Sequence, residues 1–423
     1  MVIAVTLLLF YFLTPILIIY LTHISTTINK IGAVVMAYGI GLLGGNIGLF
    51  PRPSEAYKML VAGKTALPKN ELMEHFQAGA VTSGDLLVNQ VASTQDLIMT
   101  IVIPLAIPLL LFSLDLRRWL KLAREAMKSL ILGVVSLLIV IFAGYFLLGD
   151  HIPESWKVAG MLVGVYTGGT PNMVAISTAL DVSPNLFVLT NTYDLVLGAL
   201  ALIFLITVAQ RLFNLFLPHF NESHTHINLR QMVEESEGVD NYLGMLTRQG
   251  FLQLMVALAL SAGIFAIAGG LSLLVSKNAQ MATVILTITT LGILFSLNRR
   301  VSSIKKTFQL GMYFVIVFSL VVSSMADLRS MFQIDFLYLF IFVAVAVFGS
   351  IIIHVGLSWV FKVDTDTTII TITALTFSPP FVPVVASSLR NKEVIITGLT
   401  SGILGYAFGN YLGVAIAYLL KGL

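Results

Sequence analysis

Twelve runs of apolar residues divide the chain, at about 2–22, 30–50, 97–115, 128–148, 158–180, 185–208, 250–275, 280–298, 307–327, 335–361, 367–388 and 394–420. Each is long enough to enter a hydrocarbon layer about 30 Å thick, which a helix of roughly 20 residues crosses. Polar stretches interrupt them only at 51–95 and at 209–249, the latter carrying the acidic "VEESEGVD". The pattern predicts an all-α polytopic membrane protein with no separate soluble domain.

The twelve runs divide into six and six. "FSLDLRRW" around Asp115 ends the third run and "SSMADLRSM" around Asp327 ends the ninth, and each is followed by a run with a polar break, "YTGGTPNM" with Pro171 and "LTFSPPFVP" with Pro379. Matched order and spacing predict an internal repeat. The first repeat then covers 1–217, with 51–95 as a polar insertion; 218–249 is a linker, and 250–423 is the second repeat.

Loop charge bears on topology through the positive-inside rule. If the fifth and eleventh runs only dip into the membrane, 16 Lys and Arg fall on one face and 8 on the other. This arrangement gives each half five spanning helices plus one broken or re-entrant segment, inverts the halves and leaves both termini outside. A broken helix that crosses completely is the competing geometry.

Non-helical backbone is tolerated within hydrocarbon only where it is buried in protein or lines a wet cavity. Gly168 and Gly169 allow conformations denied to other residues, Pro171 removes a donor, and Thr167, Thr170 and Asn172 add neutral ligands. In the other half Thr376, Ser378 and Pro379 form the matching break. Helix ends meeting in mid-membrane favour anions at N-termini and cations at unwound carbonyls. Paired interrupted segments in two halves point to the substrate site of a secondary transporter, whereas ordinary proline kinks at helix contacts are the plainer alternative.

Asp194, in "LTNTYDLVLGAL", sits about ten residues into an apolar run, where an ionisable group is expected to be functional. Asn191 shares its helix face and Thr190 flanks it. Oxygen ligands of this kind suit sodium or a proton. A packing aspartate bonded to a neighbouring helix is the bland reading. His354 admits a relay or a packing role, Asp115 and Asp327 suit interfacial ion pairs with Arg117 and Arg329, and His219, His224 and His226 read as a solvated loop.

Composition agrees with this picture: 57% of the 423 residues are hydrophobic and 11% charged, against about 25% charged in soluble domains. The 24 Lys and Arg are scattered among loops, so the net charge of +3 signals topology and not nucleic-acid binding. There is no cysteine, which excludes disulfides, thiolate metal sites and Cys nucleophiles. No His-Glu-x-x-His, Gly-x-Ser-x-Gly or Gly-rich phosphate loop occurs, and no enzymatic activity or bound cofactor is expected beyond a coupling ion.

At "VYTGGTPNMVAIS" and "LTNTYDLVLGAL" the chain resembles the YjcL-type integral-membrane family (domain of unknown function 819). More distantly it is similar to the superfamily of cation/proton antiporters, bile acid/sodium symporters and glutamate/sodium symporters. That resemblance implies inverted repeats with core and scaffold subdomains, an elevator-like mechanism and a homodimer. The antiporters' adjacent pair, an Asn or Asp with an Asp in the helix after the first broken helix, is not matched, since Asn191 and Asp194 are three apart. The expected function is a secondary active transporter in a bacterial inner membrane, moving a small organic carboxylate with sodium. Cation/proton antiport is the alternative and a passive channel a third.

Overall fold

A computed structural model describes residues 2–25, 28, 32–48, 50–61, 66–113, 116–220, 242, 244–245, 247–326, 337–377, 379–391 and 393–423. Among these the secondary structure is entirely helical. The first half runs through α1 (Val2–Ile24), α2 (Ala33–Asn46), two short helices α3 (Glu55–Val61) and α4 (Lys69–Gln77), α5 (Ser83–Phe112), α6 (Leu116–Leu148), α7 (Ser155–Gly168), α8 (Thr170–Ala179) and α9 (Pro184–Phe213). The second half contains α10 (Arg248–Ser272), α11 (Gln280–Ser296), α12 (Thr307–Met325), α13 (Leu337–Phe361), α14 (Thr365–Phe377), α15 (Val382–Ser388) and α16 (Val394–Lys421). The protein is a polytopic all-α membrane protein.

Every one of the twelve apolar runs contains helix, and the two polar breaks fall at α7/α8 and α14/α15. Eight of the described helices are long and apolar enough to cross a membrane. Two shorter apolar helices, α2 and α11, occupy the second place in each half. The Asp-Leu-Arg motifs cannot be compared in space, because Asp115 and Asp327 lie outside the described residues, as do Asn221, His224 and His226.

The described chain forms two compact units. The first comprises 1–103, 183–188 and 313–333. In it α1 presents Val5, Leu8, Leu9, Leu13, Ile16 and Leu17 outward, an apolar surface that suits lipid. Glycines let α2 lie directly on α12: a Cβ on Gly45 would stand 2.2 Å from the Ser324 carbonyl oxygen. Nearby, the Gln95 amide donates to the Tyr11 hydroxyl at 2.7 Å and to Ser324 Oγ at 3.1 Å, satisfying polar groups in an otherwise apolar interior.

The 51–95 stretch differs from a simple polar insertion. Residues 83–95 are already α5, and α3 and α4 fold over a small core of Tyr57, Leu67, Leu72 and Val81. Asp85 holds it together, its carboxylate accepting from the backbone N–H and hydroxyl of both Ser54 (2.8 and 2.9 Å) and Thr82 (2.8 and 2.7 Å). Asn89 adds three more bonds, to Tyr57 and to both backbone groups of Leu67.

The second unit comprises 104–182, 189–312 and 334–423 and holds both broken segments. Helices α7 and α8 are buried along nearly their whole length, as expected of a segment apolar on all faces.

Candidate functional site

The first break is a hairpin. Gly169 has φ of 73° and ψ of −169°, a conformation that L side chains rarely adopt, and there the chain reverses. Three contacts fix the antiparallel pairing: Gly168 lies against Asn172, Gly164 against Ile176, and Gly160 against Leu180. At the base, buried Lys157 donates from Nζ to the Asp181 carbonyl at 2.8 Å. A straight segment from 157 to 181 would separate these residues by about 36 Å at 1.5 Å per residue. Glu154 pairs with the same ammonium at 2.5 Å.

The second break closes in the same way. Asp366, in the first turn of α14, accepts from Asn391 Nδ2 at 2.9 Å beyond the end of α15, and from Gln210 Nε2 at 2.9 Å. The Phe377 and Phe381 rings meet across the tip, 6.0 Å between centroids. The latches lie 24 residues apart in the first hairpin and 25 in the second (181 − 157 and 391 − 366). They have opposite charge. Beside the second latch, burial raises the Asp364 carboxyl above the usual carboxylate range, with the Thr367 N–H acting against it and the charge of Asp366 adding to it.

Helix α16 brings the two hairpins together. Its glycines at 398, 402, 405, 409 and 413 recur every three or four residues and so share one face. Cβ atoms there would clash with Val382 and Ile370 at Gly398, with Pro379 at Gly402, with the Thr167 carbonyl at Gly405, with Thr167 and Asn172 at Gly409, and with Ile176 and the Gly160 carbonyl at Gly413. Along α16 the second hairpin therefore runs from body to tip as residue number rises, and the first from tip to body. The tips point at each other, about 4.5 Å apart along the helix axis between Gly402 and Gly405. Close approach through small residues is how helices pack in lipid.

The residues picked from sequence fall into this frame unevenly. Asn172 donates from Nδ2 to the Gly405 carbonyl at 3.2 Å, locking the first tip to α16. The Thr167 hydroxyl is spent within its own helix, on Val163 O (2.8 Å) and Gly164 O (3.2 Å), which removes it as a free ligand. The N–H groups of Asn172 and Met173 both go to Gly169 O, and Pro171 has none, so the α8 N-terminus offers little beyond Thr170 to an anion. Thr170 is half-buried. Thr376 and Pro379 stand at the second tip, and Ser378 lies outside the described residues.

Asp194, Asn191 and Thr190 are buried on α9. The Asp194 carboxylate faces the Tyr166 hydroxyl, just before the first tip, though the pair falls short of a completed hydrogen bond. The Asn191 Oδ1 has no hydrogen-bond partner, nor do the buried hydroxyls of Thr400 and Ser401 on α16. Further along α9, Gly198 approaches the Phe377 ring at the second tip, so α9 and α16 both run past the tips. Among the described residues no group of three His, Cys, Asp or Glu converges as a metal centre.

Sequence reasoning missed the glycine face of α16, Tyr166 as the partner of Asp194, and the Lys157 and Asp366 latches. The glycine spacing was readable; the latches were not, because single charges beside turns carry no periodic signal.

The family profile described as "Protein of unknown function (DUF819)" matches residues 71–423, covering both hairpins and α16. The chain belongs to the DUF819 family. It is similar to an "Uncharacterized membrane protein YjcL" of Bacillus subtilis (strain 168), 25% identical over 349 residues, which span 79% of this chain and 86% of that protein. The aligned family region begins within α4, so it leaves out α1, α2 and α3.

Proposed function

We propose that this DUF819 member is a secondary active transporter whose solute and coupling cation bind where the hairpin tips face each other. The observation that carries the reading is the pair of latched hairpins pointing oppositely along α16, with a buried carboxylate beside one tip. Broken elements meeting at mid-depth, supplied by two halves of a chain, are how secondary transporters build binding sites. The opposed hairpins support two inverted repeats with five crossings each, matching eight long and two shorter apolar helices. In this reading Asp194 and the free Asn191 Oδ1 hold sodium, and the solute, a small organic carboxylate, sits near Thr170 and Thr376. The solute site moves between the two faces as a unit, in an elevator-like motion within a homodimer of the bacterial inner membrane.

The test is the melting temperature of the purified protein in sodium against potassium at equal ionic strength, because a ligand of the native state stabilises it by RT ln(1 + [L]/Kd). A sodium-specific rise that disappears in Asp194→Asn is expected; an equal rise in that variant refutes the assignment. Orientation is tested separately on a chain that has no native cysteine. Glu154→Cys should label with impermeant maleimide from outside and Arg390→Cys from the cytoplasm, and labelling of both from one face refutes the inverted arrangement.

Cation/proton antiport is a second reading, favoured by one observation. At the first tip the N–H groups of Asn172 and Met173 are spent on Gly169 O, and neither tip brings in a Lys or Arg among the described residues, so an anionic solute finds little counter-charge there. Proton release on sodium addition to proteoliposomes, with no solute present, would select it.

A further inference from the structure

The apolar surface of the first unit is indented beneath the 51–95 cap. Leu7 and Phe10 on α1, Phe50 and Pro51 beyond the end of α2, and Leu87 and Val91 on α5 surround a groove of about 400 Å³, to which Thr6 adds a hydroxyl. Pockets for small ligands run from about 300 to 1,000 Å³. The groove lies where α1 starts, α2 ends and α5 starts, so it belongs to one edge of the apolar layer and not to its middle. Its wall is fixed in place. The Phe50 ring stacks on Tyr11 and meets Phe10 edge-on, each at 6.5 Å between centroids, and the Tyr11 hydroxyl is held by Gln95 and Ser324 at 2.7 Å each. Pro51 and Leu87 are exposed at its edge, and on the same turns of α1 Val5, Leu8 and Leu9 face outward, so the groove is continuous with the surface that suits lipid.

Two properties name the occupant. Water needs two to four polar partners and stays out of an apolar hollow, while side chains with no atoms opposite them lose dispersion contacts, so hydrocarbon is the fitting filler. Next to Pro51 in the chain stands exposed Arg52, which forms no ion pair among the described residues. The acids around it are committed elsewhere: Glu55 pairs with Lys58 at 2.7 Å, and Asp85 is taken by Ser54 and Thr82. We propose that the groove seats one acyl chain of an anionic phospholipid whose phosphate is held by Arg52. A guanidinium takes phosphate oxygens in bidentate fashion, and position 52 lies between the apolar helix ends and the polar cap, the level at which head groups run. Seated there, the lipid bridges α1, the chain after α2 and α5, and fastens the cap to the edge of the bilayer. It has no part in the solute site, so the two readings stand or fall separately.

Native mass spectrometry of the full-length protein in detergent, titrated with phosphatidylglycerol or with phosphatidylethanolamine of the same chains, tests this. Wild type should retain one phosphatidylglycerol, bound about fivefold more tightly than phosphatidylethanolamine, the worth of one Arg near an anionic surface. Arg52→Gln should remove that preference and keep a residual site for either lipid, whereas Lys58→Gln, an equal loss of charge from a side chain already paired, should keep the preference. Leu87→Trp and Thr6→Trp each fill the groove from an exposed position and should lose both lipids; Leu97→Trp, also exposed on α5 but outside the groove, should lose neither. Equal retention of the two lipids by wild type, or unchanged retention in both groove variants, overturns the proposal. Displacement of the lipid by glycerol phosphate alone overturns it too, making Arg52 a simple anion site. A wild-type dimer without lipid that the groove variants convert to monomer assigns the groove to a second copy of the chain, and overturns it equally.

Discussion

Replacing Gly405 by alanine isolates the contact that seats the first hairpin tip. The new Cβ would stand 1.7 Å from the Thr167 carbonyl oxygen and 2.8 Å from its carbon, both backbone atoms. Ordinary contact begins near 3.4 Å, so tip and helix must separate by about half that distance. Overpacking of a well-filled interior costs about 1–3 kcal/mol and sometimes more. The exchange also returns about 1 kcal/mol, because alanine is the better helix former. The opposing sizes leave a net loss of up to about 2 kcal/mol, with the upper end favoured because backbone cannot rotate away. The control is Gly356→Ala on α13, where nothing lies within 4 Å of the new methyl, so only the propensity gain operates. Thermal unfolding of the two variants in the same detergent should place Gly405→Ala a few degrees below wild type and Gly356→Ala level with it or above. The Asn172 bond to the Gly405 carbonyl should be disturbed as well, so Gly405→Ala should also lose any sodium-specific stabilisation. Gly405→Ala melting with Gly356→Ala would refute the claim that the tip rests directly on α16.

Three further outcomes are expected. Lys157→Met removes a charged donor to the Asp181 carbonyl and should cost about 1.5–3 kcal/mol, read as a lower melting temperature and faster proteolysis at 181–183; unchanged behaviour would mean the first hairpin needs no latch. Asp85→Asn leaves only one good acceptor oxygen for four bonds and should destabilise the 51–95 cap by a similar amount, measured as loss of hydrogen-exchange protection there with none in α16. The raised carboxyl of Asp364 means that the folded state binds a proton more tightly than the unfolded chain, whose value is about 3.8. Its contribution is therefore present at acid pH and lost as pH rises through the folded value. Asp364→Asn should flatten that decline in melting temperature, and an unaltered pH profile would count against the burial of this carboxyl.

Hydrophobic patterning was enough to show an all-helical membrane protein, where its apolar helices run and where two of them break, but not the helices at 55–61 and 69–77 or the 83–95 start of α5. Hydrophobic length is a local property, and the cost of unsatisfied backbone in hydrocarbon makes it decisive. Gly169 and Pro379 were readable for the same reason: residues that cannot continue a helix stand out in an apolar run. Asp194 stood out in the sequence by the expense of a charge at depth, and the structure buries it on α9 facing Tyr166. Tertiary structure alone decided that each break is a hairpin, because the choice rests on Lys157 reaching Asp181 and Asp366 reaching Asn391, contacts between residues with no shared periodicity. It also decided which candidates stay available: the Thr167 hydroxyl is consumed by its own helix, whereas the Asn191 oxygen is left free. Hydrogen-bond donors and acceptors are allotted by whatever backbone passes nearby, and only the folded chain determines which backbone that is.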